Sequence, residues 1–101
     1  MQFFVYVLYS QAHGRTYTGQ TEDVAVRLSS HNAGRVRSTK PYRPWVLLHK
    51  EGFATRAEAM RREKWFKSRQ GREFLRNLVE RWLKGCESWM DSRGGGLHLF
   101  S

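Results

Sequence analysis

The sequence predicts a small α/β domain built in the order strand, strand, helix, strand, helix, helix. Three observations predict it. Phe3 to Tyr9 is a run rich in aromatic and β-branched residues, and Trp45 to His49 is a second, largely apolar run. Near the end, Phe74, Leu75, Leu78, Val79, Trp82 and Leu83 recur at helical spacing. The 101 residues suit one domain with a modest core, and 40% hydrophobic content with 14% aromatics is enough to pack it. The domain is expected to occupy 1–85, and 86–101 to be a flexible C-terminal tail.

In the first strand, Phe3, Val5, Val7 and Tyr9 share one face and Phe4, Tyr6 and Leu8 the other. Both faces are largely apolar, so the strand should be central and covered on both sides. Gln11 to Arg15 is a turn with Gly14 inside it, and Thr16-Tyr17-Thr18-Gly19 returns as the second strand. A short helix is expected after Thr21, taken as its N-cap, with Glu22 and Asp23 at the positive end. Val24 and Leu28 fall on one helical face, Arg27 and His31 on another, and Asn32-Ala33-Gly34 closes the helix. Two tyrosines on paired strands and an arginine and histidine on one helix face could converge on a single polar site. The alternative for Tyr6 is a core aromatic whose hydroxyl finds a partner.

Residues 35–50 hold five cations, among them Arg35, Arg37, Lys40 and Arg43, and no acid. Pro41 and Pro44 argue for an extended loop rather than a helix, with only the prolines and Tyr42 to anchor it. Cations interleaved with Ser38, Thr39 and Tyr42 hydroxyls suit phosphate oxygens. Trp45 to His49 reads as a third strand buried on both faces, with His49 structural and without a visible partner. Thr55 and Glu58 form a capping box for the next helix, Ala57 to Lys67. On it, Ala59, Glu63 and Phe66 share a stripe, so Glu63 lies in line with apolar neighbours. A half-buried carboxylate needs a cation, a hydrogen bond or a metal, and a neighbouring arginine or lysine would serve. The last helix should run from about Gly71 to Lys84, with Gly85 as its stop and its apolar stripe as core or subunit contact.

The net charge of +9 is unevenly placed. Lys and Arg against Asp and Glu sum to zero over 1–34, +5 over 35–50, +5 over 51–84 and −1 over 85–101. The excess begins where the tyrosine hairpin and its helix end, as expected of a basic surface meeting a polyanion. No apolar run approaches the roughly twenty residues a bilayer span needs, and no secretory signal is visible, so no membrane role is expected. The single Cys86 excludes an internal disulfide and a cysteine zinc cluster, and fits a reducing, cytoplasmic setting.

Val5-Tyr6-Val7 followed by Tyr17-Thr18-Gly19 resembles the GIY-YIG motif, with the first tyrosine kept and the second triplet lacking its isoleucine. Arg27-Leu28-Ser29-Ser30-His31-Asn32 resembles the arginine-then-histidine helix that follows it in that nuclease superfamily. Ala59-Met60-Arg61-Arg62-Glu63 fits the context of the superfamily's metal-binding glutamate, and Arg62 to Lys67 with a glycine-led final helix resembles its small bacterial members. The resemblance spans 3–84 and implies an α/β sandwich: a three-stranded, mostly antiparallel sheet flanked by helices on both faces. It implies metal-assisted hydrolysis of a DNA phosphodiester, with Tyr6, Tyr17, Arg27, His31 and Glu63 as catalytic residues. Glu63 would hold one Mg²⁺ or Mn²⁺, Arg27 would bind phosphate oxygens, and either Tyr17 or His31 would act as base. Arg35, Arg37, Lys40, Arg43 and Lys67 are the expected nucleic-acid contacts. Asn77 stands roughly where many members carry an active-site asparagine, or is simply a solvated helix residue. DNA is the expected partner, with RNA open, and binding should be backbone-led and structure-directed. The competing class is a nucleic-acid-binding module of the same fold without catalysis.

Overall fold

The computed structural model describes residues 2–91, with side-chain surroundings as far as Gly85. Strands β1 (Phe3–Ser10) and β2 (Arg15–Thr21) form a hairpin, followed by α1 (Val24–Asn32), a 3₁₀ turn at Lys40–Tyr42, β3 (Val46–Phe53), α2 (Arg56–Phe66) and α3 (Arg69–Asp91). The sheet order is β2-β1-β3 and both pairings are antiparallel. β1 is therefore central, as its two apolar faces predict, and Val5, Tyr6, Val7 and Leu8 are all essentially buried.

Alternation along β1 divides the core in two. Val5 and Val7 pack with Ala59, Phe66 and Leu75, so α2 and α3 cover one face. Tyr6 and Leu8 pack with Val24 and Trp45, flanked by Tyr17 and Leu28, so α1 covers the other. The expected sandwich with helices on both faces is present.

Several local expectations are corrected. Thr21 ends β2, and the N-cap of α1 is Asp23, whose side chain accepts from the Val26 N–H at 3.1 Å. A carboxylate at the cap faces the helix dipole, and Glu22 lies outside the helix, 3.5 Å from Arg56. The third strand starts after Trp45 and runs to Phe53; among the described residues it has one neighbouring strand and not two, and it is only partly buried. His49 has a partner: its Nε2 lies 2.8 Å from Glu51 Oε2, and Glu51 also accepts two bonds from Arg62, at 2.8 and 3.1 Å. Pro41 does not exclude a helix, since it occupies the first turn of the 3₁₀ segment, where no N–H is required. The Thr55–Glu58 capping box is present as read.

Gly85 does not stop α3, which continues to Asp91. The rest of the expected tail lies outside the described residues. Gly71 has a different task. A Cβ there would stand 2.1 Å from the Trp65 carbonyl oxygen, so the α2–α3 junction closes only over a bare backbone.

Candidate active site

The site begins with the register of β1 on β2. Tyr6 lies opposite Gly19, and Tyr17, two residues earlier on β2, projects to the same face. A Cβ at Gly19 would stand 2.7 Å from the Tyr6 hydroxyl and 3.1 Å from the Tyr17 ring. The glycine is thus the space in which the Tyr6 ring lies across β2. Four-residue spacing on α1 brings Arg27 and His31 over this face. The His31 ring centre is 4.8 Å from that of Tyr17 and 5.9 Å from that of Tyr6.

His31 is wholly buried, and both its ring nitrogens are engaged. Nε2 lies 3.0 Å from the Tyr6 hydroxyl and Nδ1 lies 2.8 Å from Thr39 Oγ1. Thr39 Oγ1 also donates to the Val36 carbonyl at 3.3 Å. A hydroxyl has one proton, so all three contacts are satisfied only if His31 carries its proton on Nδ1 and donates it to Thr39. Nε2 then accepts from Tyr6. Burial, and then the Arg27 charge, hold His31 below its usual 6.5, so the ring is neutral at pH 7. Burial also pushes the Tyr6 hydroxyl up to about 12; the Arg27 guanidinium beside it opposes this, while Tyr17 and Glu63 add to it. Tyr6 thus packs against Tyr17, with ring centres 6.2 Å apart, and meets His31 by hydrogen bond.

Glu63 comes from α2, on the other side of the sheet edge, with its side chain 21% exposed. Its Oε1 accepts from the Gln20 amide at 2.9 Å and its Oε2 from Lys67 at 3.2 Å. Gln20 was not legible in advance. Alternation along β2 puts it on the α2 face, but nothing in the sequence pairs positions 43 apart. Among the described residues no cluster of three His, Cys, Asp or Glu side chains could hold a metal. A lone carboxylate nonetheless suits a hard ion that keeps most of its waters and takes its other ligands from substrate phosphate. Each Glu63 oxygen accepts one hydrogen bond and retains a lone pair, and the carboxylate is reachable from solvent, so the donor set fits such an ion.

The basic loop is better anchored than expected. Thr39, read as a phosphate-facing hydroxyl, is buried against His31 instead. The Trp45 indole donates to the Thr39 carbonyl at 3.0 Å, and the Asn32 amide clasps both backbone groups of Trp45, at 2.7 and 2.9 Å. Arg35, Arg37, Lys40 and Arg43 are exposed on this pinned loop. Arg43 folds back to donate to the Lys40 carbonyl at 2.9 Å, over Gly34, whose φ of +79° would strain any other residue. Asn77 is exposed on α3, and none of the described hydrogen bonds involves it.

Comparison with known proteins gives the family. The GIY-YIG catalytic domain matches residues 2–78. The chain belongs to the GIY-YIG family. It is 42% identical over 66 residues to a UPF0213 protein of Staphylococcus haemolyticus, covering 64% of this chain and 80% of that one. It is 37% identical over 79 residues to a UPF0213 protein of Staphylococcus aureus, covering 77% and 95%. A UPF0213 protein of Bacillus halodurans, solved in solution by NMR, is 36% identical, with 77% of this chain and 85% of that one covered and a TM-score of 0.47. GIY-YIG membership implies a nuclease-type function on nucleic acid, and divalent ions are general among GIY-YIG nucleases. Among the described residues no helix is long and apolar enough to cross a membrane.

Proposed function

We propose that this protein is a divalent-metal-dependent endonuclease that hydrolyses DNA phosphodiester bonds, selecting its target by backbone shape rather than by long sequence. The observation that carries the reading is the packing of Tyr17 and His31 around the buried Tyr6, whose hydroxyl meets His31, with the Arg27 guanidinium beside it and Glu63 held by Gln20 of the strand that carries Tyr17. A core tyrosine needs one hydrogen-bond partner; it does not need an arginine, a second tyrosine and a carboxylate.

Glu63 would hold the ion, Mg²⁺ or Mn²⁺, with Lys67 and Gln20 yielding their places. The ion, when bound, stabilises charge on the scissile phosphate and the leaving oxygen. Arg27, half-buried and without a carboxylate partner among the described residues, binds the non-bridging oxygens as their charge develops. Tyr17, on the same face as Tyr6 and lining the open end of the site, accepts a hydrogen bond from the attacking water through its hydroxyl oxygen and orients it in the position of the base. His31 is enclosed and engaged at both nitrogens, so it holds Tyr6 in place and does not meet water. Tyr6 keeps its proton to pH values near 12 and acts as a hydrogen-bond donor.

One observation favours a binding module without catalysis: Lys67 sits on the very carboxylate a metal would need. Labelled duplex, single-stranded, flap and branched DNA incubated with Mg²⁺ or Mn²⁺ separates the two readings. Cutting by the parent, loss in Glu63→Ala and retained DNA binding are expected. Binding without cutting on every substrate and ion would favour the module, and equal cutting by both proteins would remove Glu63 from the mechanism.

A further inference from the structure

A groove leads away from the candidate site along the outer edge of β2. It consists of two adjoining cavities of about 540 and 280 Å³, which share Thr16, Arg72 and Leu75 as walls. Tyr17 and Lys67 stand at one end, beside the Glu63 carboxylate, and Arg76 at the other. We propose that this groove, between the free edge of β2 and the first turns of α3, is a track for the phosphodiester backbone of one nucleic-acid strand running on from the active site, with Arg72 and Arg76 as its phosphate contacts. The proposal rests on the nuclease reading and adds to it where the strand goes.

Three features carry it. No acidic residue lines either cavity, and among the described residues the ion pairs employ Arg56, Arg62, Lys67 and His49 but neither Arg72 nor Arg76. Two cations held in an acid-free groove at the mouth of a phosphodiester site complement a polyanion. Their spacing fits as well. Four residues on a helix advance about 6 Å, so Arg72 and Arg76 are set apart far enough to meet separate phosphates of one strand. Finally, among the described residues β2 pairs only with β1, so its outer edge offers backbone N–H groups and threonine hydroxyls to oxygen acceptors. The groove's other aromatic walls, Tyr9 and Phe66, are 6% and 1% exposed, so beyond Tyr17 neither offers a face on which a base could stack. Contacts would therefore be to the backbone, with little base preference.

Both a single strand and one strand of a duplex offer such a backbone, and the experiment separates them. Fluorescence anisotropy of the full chain with a labelled single strand and a labelled hairpin duplex is followed through a salt titration. The parent, Arg72→Ala/Arg76→Ala and Arg72→Lys/Arg76→Lys are compared, with thermal unfolding by circular dichroism to check folding. Loss of two phosphate contacts should flatten the slope of log affinity against log salt by about 1.4 on a single strand or about 1.8 on a duplex. The lysine pair should restore the slope. An effect on one substrate alone identifies the strand's source. A folded alanine pair with an unchanged slope on both substrates overturns the groove while leaving the nuclease reading intact. A parent that binds neither substrate overturns both. If the alanine pair fails to fold, the singly substituted proteins decide, each expected to lose half the effect and an unchanged slope in both counting against the track.

Discussion

Replacing Thr39 by valine is the sharpest test of how the site is held. The side chains have nearly the same shape, so the change removes a hydroxyl without opening a cavity. In the parent, that oxygen is 2.8 Å from His31 Nδ1, in a setting where Thr39 is 2% exposed and His31 not at all. Without it, the Nδ1–H is a buried donor with no acceptor. Moving the proton to Nε2 only passes the deficit to the Tyr6 hydroxyl, which is 1% exposed. A buried unsatisfied polar group costs about 1–3 kcal/mol. With a urea m-value of about 1 kcal/mol/M, the low end for a small chain, the unfolding midpoint should fall by about 1–3 M. Urea titration at pH 7.5, where His31 is neutral in both states, measures this. Long-range ¹⁵N correlation of the His31 ring should show the proton on Nδ1 in the parent and a mixed or reversed tautomer in the variant. A midpoint within about 0.2 M of the parent, with the tautomer unchanged, would refute the relay from Thr39 through His31 to Tyr6.

The His31 contribution also sets a pH dependence: its folded-state value lies below 6.5, so the unfolded chain binds the extra proton and stability present above pH 6.5 is lost as pH falls through the folded value. His31→Gln should flatten that part of a stability–pH curve, and an unaltered curve would count against it. Burial pushes the Glu51 carboxyl up, but the Arg62 and His49 hydrogen bonds outweigh it and hold it below 4.5, giving stability that is present above pH 4.5 and lost on further acidification. Glu51→Gln should therefore soften the acid unfolding limb, read by circular dichroism. In an alkaline absorbance titration Tyr6→Phe should remove a component near pH 12, and persistence of that component would contradict the burial of the hydroxyl. Gly71→Ala should destabilise more than Gly19→Ala in urea titrations, because its Cβ meets backbone at 2.1 Å, whereas the Gly19 Cβ meets the end of a side chain at 2.7 Å. A reversed order would mean that Tyr6 is less able to yield than the α2–α3 turn.

Burying Thr39 also ties the basic loop to the tyrosines. The segment that carries Arg35, Arg37, Lys40 and Arg43 is joined to His31 and to the start of β3 through Thr39, Trp45 and Asn32. A loop anchored only by prolines would lack that connection.

What the sequence determined by itself is whatever depends on period and neighbours. The alternation Phe3 to Tyr9 made β1 central, Thr55 and Glu58 three residues apart made a helix start, and Arg27 and His31 four apart made one helix face. The order of the motifs made the family. Each is a short-range regularity, written in the chain because strands repeat every two residues and helices every 3.6. What only the tertiary structure decided are the contacts between segments remote in the chain. Gln20 meets Glu63 across 43 positions, and the Asn32 amide finds the backbone of Trp45. Thr39 faces a histidine where its sequence neighbours suggested phosphate, since a hydroxyl among arginines looks the same whether it points out or in. Gly85 shows the converse. A glycine can end a helix, but its local cost of about 1 kcal/mol is small beside the apolar stripe that α3 buries, and the helix runs through it.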